Sequence, residues 1–321
     1  MKQIGILTSG GDCPGLNACI RAVVRLGIQK GFDVTGFRRG YEGLIDNDAV
    51  MLDRNSVGGI ISQGGTMLLS ARSKRFQTRN GKEKAARSLN MRRIEGLIVL
   101  GGNGSLRGAW ELAKLTKTAV IGIPKSIDND VGGTDFSIGF DTAANTAVEA
   151  IDKIRDTATS HEKLFIVEVM GRSMGHLALF SGIAGGAEHI LIPETPTNIS
   201  KICKKLDEGI ARGKRSSILV VAEGDEKGGA FEIARKISKH ADYDPRVIVM
   251  GHIQRGGRPS AFDRILAARF GRAAVDALKK KKRSKMVGIQ RNRIITSPLE
   301  KSFKRPNPLD ACLIGLADSL S

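Results

Sequence analysis

The 321-residue chain is short of aromatics, cysteine, histidine and acidic charge, and each shortage narrows what it can do. Aromatics make up 4% of it, with 11 Phe, 2 Tyr and 1 Trp, which together with many glycines and aliphatic runs suggests tight βα turns more than a sheet-stacked β-sandwich. The four cysteines, at 13, 19, 203 and 312, show no C-x-x-C spacing and no framework pattern, which excludes a disulfide scaffold. Reduced thiols in a cytoplasm are the expectation. The five histidines (161, 176, 189, 240 and 252) form no H-E-x-x-H or paired zinc spacing, so no catalytic zinc is expected. No run approaches the roughly 18 apolar residues of a membrane span. The apolar stretch 4–7 runs straight into a glycine turn, so neither a membrane partner nor a signal peptide is expected.

Acidic residues number 33 against 51 Lys and Arg, a net charge of +18. Such a balance attracts anions: nucleic acid, an anionic membrane surface or phosphorylated metabolites. Six of the positive charges sit in the run Lys279-Lys280-Lys281-Lys282-Arg283-Ser284-Lys285. The run reads either as the solvated tip of a C-terminal helix or as a nucleic-acid contact. With no zinc finger or stacking aromatics near it, nucleic acid is not expected as a partner.

What the chain does contain is 41% hydrophobic residues and 39 glycines, enough to bury a proper core and make many tight turns. At roughly 150 residues per domain the length suggests about two domains. Continuously apolar runs at 3–7, 33–37, 96–100, 119–123, 164–169, 218–222 and 247–250 read as strands covered on both faces. Helical periods lie between them, near 16–30, 81–92, 104–115, 140–158, 174–184, 198–211, 229–240 and 260–280. The alternation predicts an α/β fold, and open α/β sheets bind ligands beyond the carboxyl ends of their strands. No linker divides the chain, so domain boundaries are expected to be discontinuous.

The informative residues follow the strands. Thr8-Ser9-Gly10-Gly11-Asp12-Cys13-Pro14-Gly15 opens a helix after the first, and Gly101-Gly102-Asn103-Gly104-Ser105 does so after the third. Neither is a Walker A or G-x-G-x-x-G motif. Each alone is either a plain tight turn or a phosphate cradle of backbone N–H groups; the pair favours the cradle. After the fourth strand comes Pro124-Lys125-Ser126-Ile127-Asp128-Asn129-Asp130. Only a loop can aim carboxylates at i and i+2 toward one ligand, where one can accept a hydroxyl proton and the other hold Mg²⁺. The same Ile-Asp-Asn-Asp string at 45–48 follows a glycine turn with no adjacent strand expected, a warning that the string alone is weak. Further strand ends carry Met170-Gly171-Arg172, Glu223 and Gly251-His252-Ile253-Gln254-Arg255-Gly256-Gly257. Arginine forks suit phosphate and glutamate suits sugar hydroxyls. His252 alone would read as a packed structural histidine. Together these residues suggest phosphoryl transfer to a sugar phosphate.

The ordered set T-S-G-G-D-C-P-G-L-N, S-A-R, G-G-N-G-S, P-K-S-I-D-N-D, M-G-R and G-H-I-Q-R-G-G resembles the 6-phosphofructokinase family, in particular its bacterial ATP-dependent form. The resemblance covers nearly the whole chain. It implies two Rossmann-like three-layer α/β domains with mainly parallel sheets: 1–138 plus 251–301 for the nucleotide, and 139–250 plus 302–321 for the sugar phosphate. The implied reaction moves the terminal phosphoryl group of ATP to O1 of fructose 6-phosphate, with Mg²⁺, in an allosterically regulated cytoplasmic enzyme of glycolysis, assembled as a homotetramer. Asp128 is then the implied base, Asp130 and position 103 the metal side, and Arg172 lies near the transferring phosphate or sugar. Gly11, Tyr41, Arg72, Ser73, Phe76, Gly102, Asn103, Gly104 and Ser105 correspond to the nucleotide side. Ser126, Ile127, Asp128, Met170, Gly171, Arg172, Glu223, His252 and Arg255 correspond to the sugar-phosphate side, completed by Lys163 and Arg246 of a neighbouring subunit. Arg21, Arg25, Arg54, Arg155, Gly186, Glu188, Arg212 and Lys214 fall on positions resembling an effector pocket for a nucleotide or phosphoenolpyruvate.

The chain departs from the family pattern at three positions. Asn103 and Lys163 stand where the family more often has Asp and Arg, and Lys125 stands where ATP-dependent bacterial members often have Gly. A lysine there is typical of pyrophosphate-dependent members, whereas Gly104 resembles the ATP users. A pyrophosphate-dependent enzyme and a catalytically weak regulatory homologue are therefore the alternatives. Lys125 is expected either to supply part of the phosphate neutralisation that metal bound at position 103 would otherwise provide, or to point to solvent or pair with a nearby carboxylate.

Overall fold

The computed structural model describes residues 1–320. Its strands are β1 (Gln3–Thr8), β2 (Asp33–Phe37), β3 (Ala49–Leu52), β4 (Gly96–Gly101), β5 (Ala119–Pro124), β6 (Leu164–Val169), β7 (His189–Leu191), β8 (Ser217–Ala222), β9 (Arg246–Val249), β10 (Lys285–Gln290) and β11 (Arg293–Pro298). Its α-helices are α1 (Leu16–Gln29), α2 (Tyr41–Asp46), α3 (Arg79–Met91), α4 (Asn103–Leu115), α5 (Phe140–His161), α6 (His176–Ala184), α7 (Ile199–Ala211), α8 (Ala230–His240), α9 (Ala261–Lys279), α10 (Lys301–Lys304) and α11 (Ala311–Leu320). The chain divides into two compact units, Met1–Thr142 with Arg255–Asn307, and Ala143–Gln254 with Pro308–Ser321. The breaks expected after 138, 250 and 301 each fall a few residues earlier.

In the first unit a seven-stranded sheet runs in the order β11-β10-β5-β4-β1-β2-β3. Its centre is parallel, while β3 and β11 pair antiparallel to β2 and β10. Every residue of β4 and β5 is buried, because α1 and α9 cover one face and α2, α3 and α4 the other. Gly271 lets α9 approach α1: a Cβ there would stand 2.9 Å from that of Ala22. The register pairs Thr8 with Leu100 and Gly101 with Pro124, so the loops after β1, β4 and β5 leave the sheet at one edge. That alignment builds the site.

The second unit holds a four-stranded parallel sheet ordered β7-β8-β6-β9. Leu164, Ile166, Leu219 and Val221 pack with Ile202 and Leu206 of α7 and Ile233 and Ile237 of α8, while α6 packs on β8. The fold is α/β with two mainly parallel sheets. Four strands escape the sequence reading: β3, β7, β10 and β11. β3 and β11 are edge strands that expose much of their length, β7 has three residues, and β10 begins inside the basic run. The expectation of no strand beside the string at 45–48 is corrected by β3, which starts at Ala49.

The basic run begins at the end of α9, and Lys279 to Arg283 are exposed. Cys13, Cys19 and Cys203 are buried and Cys312 is exposed on α11; all four are free thiols. Burial pushes the Cys13 thiol up to about 12. No helix among the described residues is long and apolar enough to cross a membrane.

Candidate active site

Three strand-end loops of the first unit are bonded to one another. In the loop after β1, Gly10 adopts φ +89 and Gly15 φ +96, backbone that favours glycine. Ser9 N–H donates to the Leu100 carbonyl at 3.0 Å, and Ser105 Oγ donates to Ser9 Oγ at 3.0 Å, tying this loop to the one after β4. No side chain caps α1 or α4, so the positive ends of both helix dipoles open onto these loops. A Cβ at Gly104 would meet nothing within 4 Å, which leaves the first turn of α4 open to a ligand.

Tyr41 and Phe76 stack with ring centroids 3.8 Å apart, and both rings are buried in the core beneath α4. Tyr41 Oη donates to the Ser105 carbonyl at 2.7 Å. A Cβ on Gly108 would lie 2.9 Å from the Phe76 ring, so glycine there admits the stack. These two residues act from behind the loop. Ser73 Oγ accepts the Phe76 N–H at 2.9 Å and so shapes the turn that delivers the ring, while Arg72 is exposed.

The loop after β5 is the most constrained. Asn129 adopts φ +51. Its Oδ1 accepts the Ser137 N–H at 2.9 Å and its Nδ2 donates to the Asp135 carbonyl at 2.9 Å. Ser126 Oγ donates to Asp130 Oδ1 at 2.7 Å and accepts the Asp128 N–H at 3.3 Å. Asp128 is 2% exposed, and Ile127 is part of the core. Behind this loop the buried Asp263 carboxylate accepts N–H groups of Gly139 and Thr142, each at 2.9 Å; burial raises its pKa against these bonds.

Lys125, only 4% exposed, sends its ammonium back to the Gly11 carbonyl. It joins the loops after β5 and β1 and puts a buried positive charge among the glycines. The Arg255 guanidinium also reaches the first loop, with Nη1 3.4 Å from the Asp12 carbonyl, and a Cβ on Gly11 would stand 2.7 Å from it. Gly11 is therefore a close-approach glycine.

The residues suit a Mg²⁺ ion. Asn103 Nδ2 donates to Asp130 Oδ2 at 2.9 Å, while Asn103 Oδ1 is buried with no hydrogen-bond partner. An unsatisfied amide oxygen beside a carboxylate is a hard-oxygen pair, and Mg²⁺ takes one or two such ligands with the rest from phosphate and water.

In the second unit the turn after β6 places Gly171 at φ +144 and Arg172 at φ +54. Arg172 N–H donates to Glu223 Oε1 at 2.8 Å, and Met170 N–H donates to Gln254 Oε1 at 2.8 Å. The Arg172 side chain and His252 are exposed. Lys163 and Arg246 meet on one carboxylate, Asp244, at 3.4 and 3.1 Å. A second cluster gathers on Glu188, which pairs with Arg155 at 3.2 Å and Lys214 at 2.8 Å. Burial alone would raise the Glu188 carboxyl; the Ile218 N–H, Lys214 and Arg155 outweigh it and hold it below the usual carboxylate range. Arg155 Nη2 also donates to the Gly186 carbonyl at 2.6 Å, and Arg212 ends α7. Arg21 lies half-buried on α1, with Arg25 and Arg54 exposed, all in the first unit.

The sequence reading missed Asn129, Ser137, Asp244, Gln254 and Asp263 as organisers of these loops. Asn129 carried a signal, an Asn between two Asp residues in a turn; Gln254 and Asp263 are defined by partners distant in sequence.

The family model described as Phosphofructokinase matches residues 3–278. This chain belongs to the phosphofructokinase family. Within the family, it is 50% identical to the ATP-dependent 6-phosphofructokinase of Halothermothrix orenii, with 100% of both chains covered. It is similar to the solved Pichia pastoris phosphofructokinase in the T-state, with TM-score 0.88 and 36% identity over 99% of this chain and 38% of that one. The chain thus spans the full length of the bacterial relative but well under half of the Pichia chain. A pyrophosphate-dependent phosphofructokinase from Marinobacter aquaeolei superposes with TM-score 0.86 at 25% identity, covering 97% of this chain and 86% of that one.

Proposed function

We propose that this protein transfers the terminal phosphoryl group of ATP to O1 of fructose 6-phosphate, giving fructose 1,6-bisphosphate. The observation that carries the reading is the union of three loops in the first unit: Ser105 bonded to Ser9, Asn103 to Asp130, and Lys125 to Gly11. They gather open helix N-termini, a buried lysine and two carboxylates at one sheet edge, the elements phosphoryl transfer needs. The full-length identity to ATP-dependent 6-phosphofructokinases supports ATP as donor.

In this reading the first unit takes the nucleotide at Gly11, Arg72, Gly102, Gly104 and Ser105. Tyr41, Ser73 and Phe76 shape the pocket from behind. Asp128 accepts the proton of the O1 hydroxyl as the oxygen attacks the terminal phosphorus, the bond from that phosphorus to the bridging oxygen breaks so that ADP leaves, and Lys125 balances charge on the phosphates in flight. Asn103 Oδ1 and Asp130 would hold Mg²⁺, which when bound neutralises phosphate charge. In the second unit Met170, Gly171, Glu223 and His252 bind the sugar, with Arg172 at the transferring phosphate or sugar. Arg255, beside Gly11 in the first unit, is a further candidate for the sugar phosphate. Lys163 and Arg246 give a paired cationic site for the 6-phosphate of a neighbouring subunit's substrate in a homotetramer. The Glu188 cluster of the second unit serves a nucleotide or phosphoenolpyruvate effector, and Arg21, Arg25 and Arg54 of the first unit are effector candidates in their own right. A cytoplasmic location fits such substrates.

The test is a coupled assay of fructose 6-phosphate with ATP or with pyrophosphate, across Mg²⁺ concentrations. Turnover with ATP is expected. Turnover with pyrophosphate alone would reassign the donor, and none with either would leave a sugar-phosphate-binding homologue.

A further inference from the structure

The opposite edge of the first unit's sheet, where β1, β4 and β5 begin, contains a cavity of about 480 Å³. Its floor is apolar, made by Met1, Leu89, Ile94 and Ala119, and its rim carries Arg93, Lys117, Lys281 and Arg283. These four cations are exposed, and none has a carboxylate within 4 Å among the described residues. The one acid in the wall, Glu95, is already taken by the N-terminal ammonium at 3.4 Å and the Lys2 N–H at 2.7 Å.

Cations near helix C-termini often serve only to satisfy the last carbonyls. At the ends of α3 and α9 the backbone does that work, while Arg283 Nη2 donates to the Lys117 carbonyl at 2.5 Å and keeps its other donors for the recess. Ile94 and Arg93 N–H groups cap Leu89 and Asn90 at the end of α3, and Lys282 and Lys281 N–H groups cap Ala277 and Leu278 at the end of α9. Both helices thus finish in the same reverse turn, whose left-handed position favours glycine. α1 and α7 finish identically and have glycine there, Gly31 at φ +81 and Gly213 at φ +88. α3 and α9 instead place Arg93 at φ +52 and Lys281 at φ +53, and both side chains line the cavity. Two unfavourable backbone positions are occupied by cations, and both face one recess.

We propose that this cavity binds a small organic molecule carrying two or more phosphate groups, its apolar body on the floor and its phosphates on the four cations. A volume near 480 Å³ falls in the range of small-ligand pockets, roughly 300–1,000 Å³. A concave site without an aromatic residue suits such a ligand better than a nucleic acid strand, which would track an open groove and stack its bases. The site uses the basic run that the catalytic reading leaves idle, and it stands or falls independently of that reading.

The test is the double variant Arg93→Gly/Lys281→Gly in the full chain, titrated calorimetrically with inorganic tripolyphosphate. The wild type is expected to take up one more tripolyphosphate per chain than the variant, or to bind it at least about tenfold more tightly. The ligand-free variant is expected to melt no lower than wild type, since glycine suits both turns, and to keep its KM values for both substrates. A purely structural role for the two cations predicts the reverse, a lower melting temperature with unchanged binding. That result overturns the proposal, as does an equal loss of binding in the charge-matched control Lys204→Gln/Arg215→Gln. Salt-sensitive retention of single-stranded RNA that the variant loses, with tripolyphosphate uptake unaltered, would make the face a nucleic-acid surface instead.

Discussion

The string Ile-Asp-Asn-Asp occurs twice in this chain, and its two copies teach different lessons. At 45–48 it ends α2: Asn47 takes a left-handed φ of +59, Asp46 pairs with Arg75 at 2.7 Å, and Asp48 pairs with Arg39 at 3.1 Å. Those carboxylates are partly exposed and answered by exposed arginines. At 127–130 Asn129 takes nearly the same φ, +51, yet Asp128 and Asp130 are buried, and Asp130 is bonded to Asn103 of the loop after β4 as well as to Ser126 of its own. The difference is the preceding strand. β5 delivers the second copy to a sheet edge where two glycine loops already wait, whereas a two-turn helix delivers the first to solvent.

The comparison breaks most sharply at the central carboxylate. Asp128→Asn is expected to lower kcat by about 10²–10⁴-fold with little change in KM, whereas Asp46→Asn leaves kcat unchanged. Equal losses in a coupled assay would erase the distinction. Next comes the cation beside each copy. Lys125→Gly is expected to reduce kcat by about tenfold and raise the Mg²⁺ concentration for half-maximal rate, while Arg75→Ala changes neither. An unmoved Mg²⁺ titration would remove the idea that Lys125 shares the neutralisation.

The two asparagines sharpen the contrast further. Asn129→Ala strands the Ser137 N–H and forces alanine into left-handed backbone, so a loss of about 1–3 kcal/mol by chemical denaturation is expected. Asn47→Gly should stay within about 0.5 kcal/mol. The smallest effect belongs to acid titration of the first copy. The hydrogen bond from Arg75, with its charge, holds the Asp46 carboxyl below the usual carboxylate range. A depressed folded-state pKa adds stability above the unfolded value that is lost as pH falls through the folded one. For so exposed a pair that contribution is about 0–1 kcal/mol, and Asp46→Asn should flatten the melting profile slightly only below the carboxylate range.

The fold was legible where burial is two-sided. The apolar runs that became β1, β4, β5, β6 and β8 could be read directly, and the turns after them were found because ligands collect at strand ends. Edges were less legible: β3 and β11 look polar because solvent covers much of them, although the edge strand β9 was read at 247–250, and β10, one strand in from its edge, hides behind its lysines. Of the candidate site, motif residues such as Asp128 and Gly104 could be named, but not how they are held. The reach of Lys125 to Gly11 and of Asp263 to Gly139 joins residues more than a hundred positions apart. No local pattern announces such a bond. Tyr41 and Phe76 show the same limit, since a residue beside a pocket and one beneath it share a sequence signature.

The thiols have a practical consequence. With Cys13, Cys19 and Cys203 enclosed by protein and Cys312 open on the last helix, a maleimide dye added to the unaltered protein should attach at one place. Motions of the C-terminal helix could then be followed by fluorescence during turnover without engineering any residue away.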